Sequence, residues 1–187
     1  MTWDGWMGIL REAIKRQRRH APFFSWFDRS PSGKAVAEKG AVESLLESMN
    51  ATGRAEYFGP RATGRDWPDC EAKNAAGETI AFEVTELVEA AALSRKRQPR
   101  EWSHDEIISR LAAVLEQKDQ RGFGAGYAET VLLIHTDEFY LDPSQIETLL
   151  SAQRFPLRHR NLTRAFLLFG YSPQLVRCPY VEVQLAT

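Results

Sequence analysis

A chain of 187 residues suits one domain, or one domain with a short helical extension, is long enough to bury a real core, and gives no reason to expect a second enzyme domain within it. Its hydrophobic share of 43% and charged share of 26% are close to globular averages, and no apolar run has membrane-spanning length, so a soluble folded protein is expected. The net charge of −1 hides two basic patches suited to polyanions, or to solvent: Arg11, Lys15, Arg16, Arg18 and Arg19, then Arg95, Lys96, Arg97 and Arg100. The start, MTWDGWMGILREAIKRQRRH, lacks an uninterrupted apolar stretch followed by a small-residue cleavage site, so the expected location is the cytoplasm. Cys70 and Cys178 have no CxxC or Cys/His partner spacing, which argues against a zinc site and a disulfide framework.

Residues 3 to 20 read as an amphipathic helix with Trp6, Ile9, Leu10, Ala13 and Ile14 at three-to-four spacing. The aromatics of APFFSWFDRSPSG pin the next segment to the core, and Pro31 with Gly33 makes a loop. A second helix is predicted from Lys34 to Met49, its apolar stripe being Val36, Val42, Leu45, Leu46 and Met49. Short extended segments follow at Ala55 to Pro60 and Asp69 to Lys73, with AAG at 75 to 77 as a turn. From Thr79 to Val88 the alternation puts Ile80, Phe82 and Val84 on one face and Thr79, Ala81, Glu83 and Thr85 on the other. Ser103 and Glu106 form a capping-box pattern for a helix from His104 to about Gln120, buried through Ile107, Leu111, Val114 and Leu115. Thr130 to His135, TVLLIH, reads as a central strand covered on both faces. Asp142 and Pro143 open a helix to about Gln153, and AFLLFGY and YVEVQL close the chain as strands. The expected class is therefore α/β, with a mixed central sheet flanked by helices.

Asp69 starts one strand after Pro68, and Glu83 lies on the next, one short hairpin later. Antiparallel neighbours joined this way bring two carboxylates together on one sheet face, where they repel unless a cation sits between them. Carboxylate oxygens with room for water suit Mg²⁺ or Mn²⁺, and phosphodiester cleavage is the natural reaction of such a site.

In Pro68, Asp69, Glu83, Val84 and Thr85 the chain resembles the PD-(D/E)XK, or restriction-endonuclease-like, superfamily, whose signature is PD, a gap, then (D/E)XK on adjacent strands. The resemblance implies a core of helix, three strands, helix and strand over residues 34–135. Residues 1–30 would then be an N-terminal helical extension, and 136–187 a C-terminal helix and two strands completing the sheet of a single domain, 1–187. It further implies Asp69 and Glu83 as metal ligands, the Val84 backbone carbonyl beside them, and a glutamate from the preceding helix, for which Glu43 matches best and Glu47 is the fallback. The implied cofactor is Mg²⁺ or Mn²⁺ and the implied partner nucleic acid, DNA ahead of RNA, with a homodimer as one assembly open to it and no membrane involved.

Thr85 departs from the family pattern, because a neutral hydroxyl positions by hydrogen bonding and supplies no positive charge. The resemblance allows that cation to move, and Lys118, beside Gln117 in LAAVLEQKDQR, is the expected replacement, with Lys73 as a second candidate. Three readings follow: a metal-dependent nuclease-like protein that hydrolyses phosphodiester bonds, using Asp69, Glu83, Thr85 and Lys118; a non-catalytic interaction domain of the same fold; or an unrelated α/β protein. Their discriminator is spatial, namely whether Asp69, Glu83 and a lysine converge. The basic loop Arg95, Lys96, Arg97 and Arg100 is the expected nucleic-acid contact. His135, Asp137 and Glu138, at the end of the central strand, are read as loop or capping residues rather than a second site. His104 and His159 have no ligand spacing, and no phosphate-loop or dinucleotide-binding glycine motif is present.

Overall fold

The computed structural model describes residues 31–88, 101–121, 126–138 and 140–186. The helix expected at residues 3 to 20, the aromatic segment after it, and Arg95, Lys96, Arg97 and Arg100 lie outside the described residues. In chain order the elements are α1 (Pro31–Ala51), β1 (Tyr57–Ala62), β2 (Cys70–Asn74), β3 (Thr79–Glu86), α2 (His104–Asp119), β4 (Glu129–Thr136), α3 (Pro143–Ser151), β5 (Phe155–Pro156), β6 (Arg164–Phe169), β7 (Tyr180–Val183) and β8 (Leu185–Ala186).

Six strands make one mixed sheet in the order β1-β2-β3-β4-β6-β7. The first three are antiparallel neighbours, β3, β4 and β6 run parallel, and β7 returns antiparallel to β6. Parallel neighbours need a crossover, which α2 supplies between β3 and β4 and α3 between β4 and β6. Because strand side chains alternate, each face of the sheet builds its own core. Phe82, Val84, Leu133 and Phe166 meet Val42, Leu45 and Met49 of α1 on one face, while Leu132, Ile134 and Leu167 meet Leu111, Leu115, Ile146 and Leu150 of α2 and α3 on the other. Val131 through Ile134 are fully buried, as a strand covered on both sides requires. No described helix is long and apolar enough to cross a membrane.

Local signals set the helix and strand ends. Ser103 accepts from the Glu106 N–H while the Glu106 carboxylate accepts from Ser103, so the α2 capping box is complete. The Asp142 carboxylate caps α3 at Ser144 and Gln145. Between β2 and β3, the Asn74 side-chain oxygen accepts from Ala76 and Glu78, and Gly77 takes the positive φ of 81° that closes the turn.

Four expectations are corrected. Pro31 and Gly33, expected in a loop, lie in the first turn of α1, which starts at Pro31, where a proline is tolerated because first-turn N–H groups have no intrahelical partner. The first strand starts at Tyr57 and runs past Pro60 to Ala62, with a bulge between Phe58 and Arg61 that accommodates the proline. The last expected strand divides, because Leu185–Ala186 leaves the main sheet to pair with Phe155–Pro156. Val36 is 64% exposed rather than part of the α1 stripe. It precedes Val42 by six residues, which at 3.6 residues per turn turns it well away from the face formed by Val42, Leu45 and Met49.

Candidate active site

Asp69 stands at the entry of β2, where the Thr63 N–H donates to its carbonyl at 3.1 Å and the Thr63 hydroxyl donates to the Pro68 carbonyl. Cys70 pairs with Phe82 across the hairpin, so the register carries Asp69 to the level of Glu83. The Val84 N–H donates to Asp69 Oδ2 at 2.8 Å. Val84 thus meets Asp69 through its N–H, whereas the expectation concerned its carbonyl, and its side chain packs on the α1 face. Glu83 points to the opposite face, toward α2, in phase with Ala81 and Thr85. Asp69 and Glu83 are 6% and 2% exposed, values seldom seen for carboxylates without a partner or ligand.

Lys118, one residue from the end of α2, donates from Nζ to Glu83 Oε1 at 2.6 Å with its side chain only 11% exposed. Arg121, just past the helix, brings a guanidinium nitrogen to 3.5 Å from the same oxygen. Glu83 Oε2 is buried without a hydrogen-bond partner. Lys34, in the first turn of α1, stands 3.1 Å from Glu38 and 3.8 Å from Asp69 Oδ1.

Burial pushes the Asp69 carboxyl above its ordinary range; the Val84 N–H pulls it down, but the neighbouring Glu38 pushes it up again. Glu83 is raised by burial and by Asp69, against the pull of Lys118 and Arg121. Glu38 in turn raises Lys34 above the usual lysine value. The sheet therefore holds two desolvated carboxylates that resist carrying charge together, the condition a divalent cation relieves.

The sequence-expected residues divide accordingly. Asp69, Glu83, Val84 and Lys118 are brought together, and Thr85 shares the Glu83 face but carries no charge. Glu43 faces Lys39, with which it pairs at 2.6 Å, and the α1 glutamate beside Asp69 is Glu38. The reason is angular: Glu38 precedes Val42 and Leu45 by four and seven residues and shares their face, whereas Glu43 and Glu47 lie on the neighbouring stripe. That spacing was a usable signal for Glu38. Lys73 donates to Thr79 at 2.7 Å at the turn end of the hairpin, four residues from Asp69 and so about 13 Å along the strand. Its distance removes it as a site cation. Asp137 and Glu138 lie beyond the C-terminal end of β4, where the Glu138 N–H donates to Thr136, in line with a loop role.

Asp119 has no counterpart among the expected residues. It is 1% exposed, and its carboxylate accepts from the N–H groups of His159 and Asn161, each at 2.8 Å, and of Leu162 at 3.4 Å, while Asn161 donates to its carbonyl. The end of α2, from which Lys118 projects, is thereby tied to the segment before β6.

Among the described residues, no group of three His, Cys, Asp or Glu side chains is placed to hold a metal ion by itself. Mg²⁺ does not need one, since it keeps several waters and takes one or two carboxylates plus substrate phosphate. Asp69 and Glu83, with the orphaned Oε2 of Glu83, fit that smaller demand. No protein-family model, curated protein or solved structure matches the chain.

Proposed function

We propose that the chain is a metal-dependent, nuclease-like protein of PD-(D/E)XK type that hydrolyses phosphodiester bonds in nucleic acid, with Asp69 and Glu83 as metal ligands and Lys118 as the cation in place of the motif lysine. The observation that carries this reading is the approach of Lys118 to Glu83 at 2.6 Å from a different element of the fold, at a site whose motif offers only Thr85. The element order through β4 supports it further: helix, three antiparallel strands, helix and a parallel strand.

A bound Mg²⁺ or Mn²⁺ would polarise the phosphoryl group and lower the pKa of an attacking water. Asp69 and Glu83 would hold it, with Asp69 oriented by the Val84 N–H. Lys118, held by Glu83 on one side, would present its remaining donors to the water and to the charge developing on the phosphoryl oxygens. In the net reaction water adds to phosphorus, one bridging P–O bond breaks, and the leaving oxygen takes up a proton.

Cleavage of labelled DNA and RNA in Mg²⁺ by wild type and Lys118→Met tests the proposal. Loss of this cation should lower the rate about a hundredfold or more. It also strips Glu83 of its buried partner, so the variant should melt earlier without metal and recover part of that loss in Mg²⁺. Undiminished cleavage by Lys118→Met would reject Lys118 as the cation. A wild type that binds Mn²⁺ yet cuts neither DNA nor RNA would favour the non-catalytic domain that Thr85 suggests.

A further inference from the structure

Resting on the nuclease reading, we infer that Arg121 is the residue that grips a backbone phosphate of the nucleic-acid substrate next to the carboxylate pair, a positioning role separate from that of Lys118. Both residues approach Glu83 Oε1, three positions apart at the end of α2, yet they do so differently. Lys118 is buried and makes a short, charge-assisted hydrogen bond. Arg121 is 56% exposed on its side chain and stands 3.5 Å away, beyond a normal N–H···O distance, from an oxygen Lys118 already holds.

The guanidinium is therefore drawn to the mouth of the site by charge without spending its hydrogen bonds there, and among the described residues it has no other partner. Five N–H donors in a planar fork match two oxygens of one phosphate. Lys34, the other exposed cation at the mouth, differs on this point because Glu38 and Asp69 both engage it. A phosphodiester approaching Asp69 and Glu83 meets like charge from two buried carboxylates, and Arg121 is placed to offset it at the entrance. The ligand class is a planar-bidentate oxyanion within a polyanionic chain, which distinguishes nucleic acid from a neutral or cationic substrate.

The test combines two readouts on the full chain. Binding of short fluorescent DNA and RNA oligonucleotides is followed by anisotropy across a salt series, with Ca²⁺ in place of Mg²⁺, and cleavage is followed in Mg²⁺ as KM against kcat. Arg121→Ala should weaken binding about tenfold, the scale of one charged hydrogen-bonding contact, and lower the slope of log K against log salt by about 0.9. Its catalytic loss should fall mainly on KM, whereas that of Lys118→Met falls on kcat. Arg121→Lys, which keeps the charge but not the fork, should recover the salt slope and only part of the affinity. Unchanged affinity and slope in Arg121→Ala, with a wild type that cuts, would overturn the assignment and leave the nuclease reading standing. A kcat loss as large as that of Lys118→Met would overturn it as well, by showing that Arg121 acts through Glu83. Arg121-dependent binding without cleavage by wild type would sink the nuclease reading alone, and a wild type that neither binds nor cuts would sink both.

Discussion

The sheet carries two clusters of charged side chains, one around Arg164 and one around Asp69 and Glu83, and they are built on opposite plans. On the α1 face Arg164 donates to Glu182 at 2.7 and 2.9 Å, to Glu56, and to the Tyr57 hydroxyl at 2.8 Å. Arg54 takes the remaining oxygens of Glu56 and Glu182, each at 2.9 Å, and Tyr57 donates to Glu129 at 2.7 Å. Every carboxylate oxygen of Glu56 and Glu182 is satisfied. Burial alone would raise Glu56, but Arg164 and Arg54 reverse it and hold the carboxyl below its ordinary range. For Arg164 burial likewise acts against the charge, and Glu56 and Glu182 overcome it. At the β2–β3 site Asp69, beside Lys34 and Glu38 of α1, and Glu83, facing α2, are raised instead, and one Glu83 oxygen has no hydrogen-bond partner. A network that completes itself stabilises its charges, whereas one left incomplete keeps an opening for something else. The sign of the pKa shift and the burial separate the two alike, since Glu56 and Glu182 keep solvent contact while Asp69 and Glu83 are almost wholly enclosed.

If that contrast is right, breaking the complete network should cost stability and leave chemistry alone. Arg164→Met strands Glu56 and Glu182 with only Arg54 between them, and should destabilise the fold by about 3 kcal/mol, at the lower end for a broken buried pair because these side chains keep some solvent contact. Chemical denaturation would measure it, and cleavage per folded molecule should be unaltered. A stable Arg164→Met variant with impaired cleavage would mean that the clusters had been assigned the wrong way round. Asp119→Ala lies between the two cases. It removes the acceptor for three backbone N–H groups, at about 2 kcal/mol, and frees the end of α2 from which Lys118 projects. Its signature should be a moderate stability loss together with a fall in kcat, with Mn²⁺ affinity nearly retained. Stability loss with kcat intact would show that Lys118 is positioned by Glu83 alone.

The legible parts of the site were those encoded over a short span. The juxtaposition of Asp69 and Glu83 was readable because strand alternation and one hairpin relate them, whereas Lys118 was expected only from the resemblance, which lets the cation come from the helix after the motif. Glu38 was missed although its spacing to Val42 and Leu45 pointed inward, because Glu43 adjoins Val42 in sequence while lying on the neighbouring stripe of the helix. Arg121 and Asp119 lie at a helix end, which Asp119 ties to residues about forty positions away in sequence. The Arg164 cluster joins Glu56, Arg164 and Glu182 across separations of 18 and 108 residues, which no local pattern reports. β5 and β8 are two residues long each, too short to show any periodicity.

The smallest expected effect is the sharpest test of the contrast, because its sign changes with conditions. Asp69→Asn keeps an oxygen to accept the Val84 N–H and gains an amide that can donate to Glu38, while removing a charge that burial disfavours. Asp69 has a folded pKa above its ordinary value of 3.8. Below that value the carboxyl is protonated in both folded and unfolded chains, so ionisation costs the fold nothing. As pH rises from that value toward the raised folded pKa, the unfolded chain ionises while the folded chain still holds its proton, so stability falls and stays lower above the folded pKa. Asp69→Asn escapes that loss, so it should be more stable than wild type by about 1 kcal/mol at neutral and higher pH, a gain typical of neutralising a functional group, and should show no gain at strongly acid pH. Saturating Mn²⁺ should invert the order, since a ligand bound only by the folded state stabilises wild type and the variant has lost a ligand. Thermal melts across pH with and without Mn²⁺, beside calorimetric titration of both proteins, would read this crossing. A metal-free Asp69→Asn that is less stable than wild type at neutral pH would show that Asp69, like Glu56, belongs to a completed structural network, and equal Mn²⁺ affinity in the two proteins would remove it as a ligand.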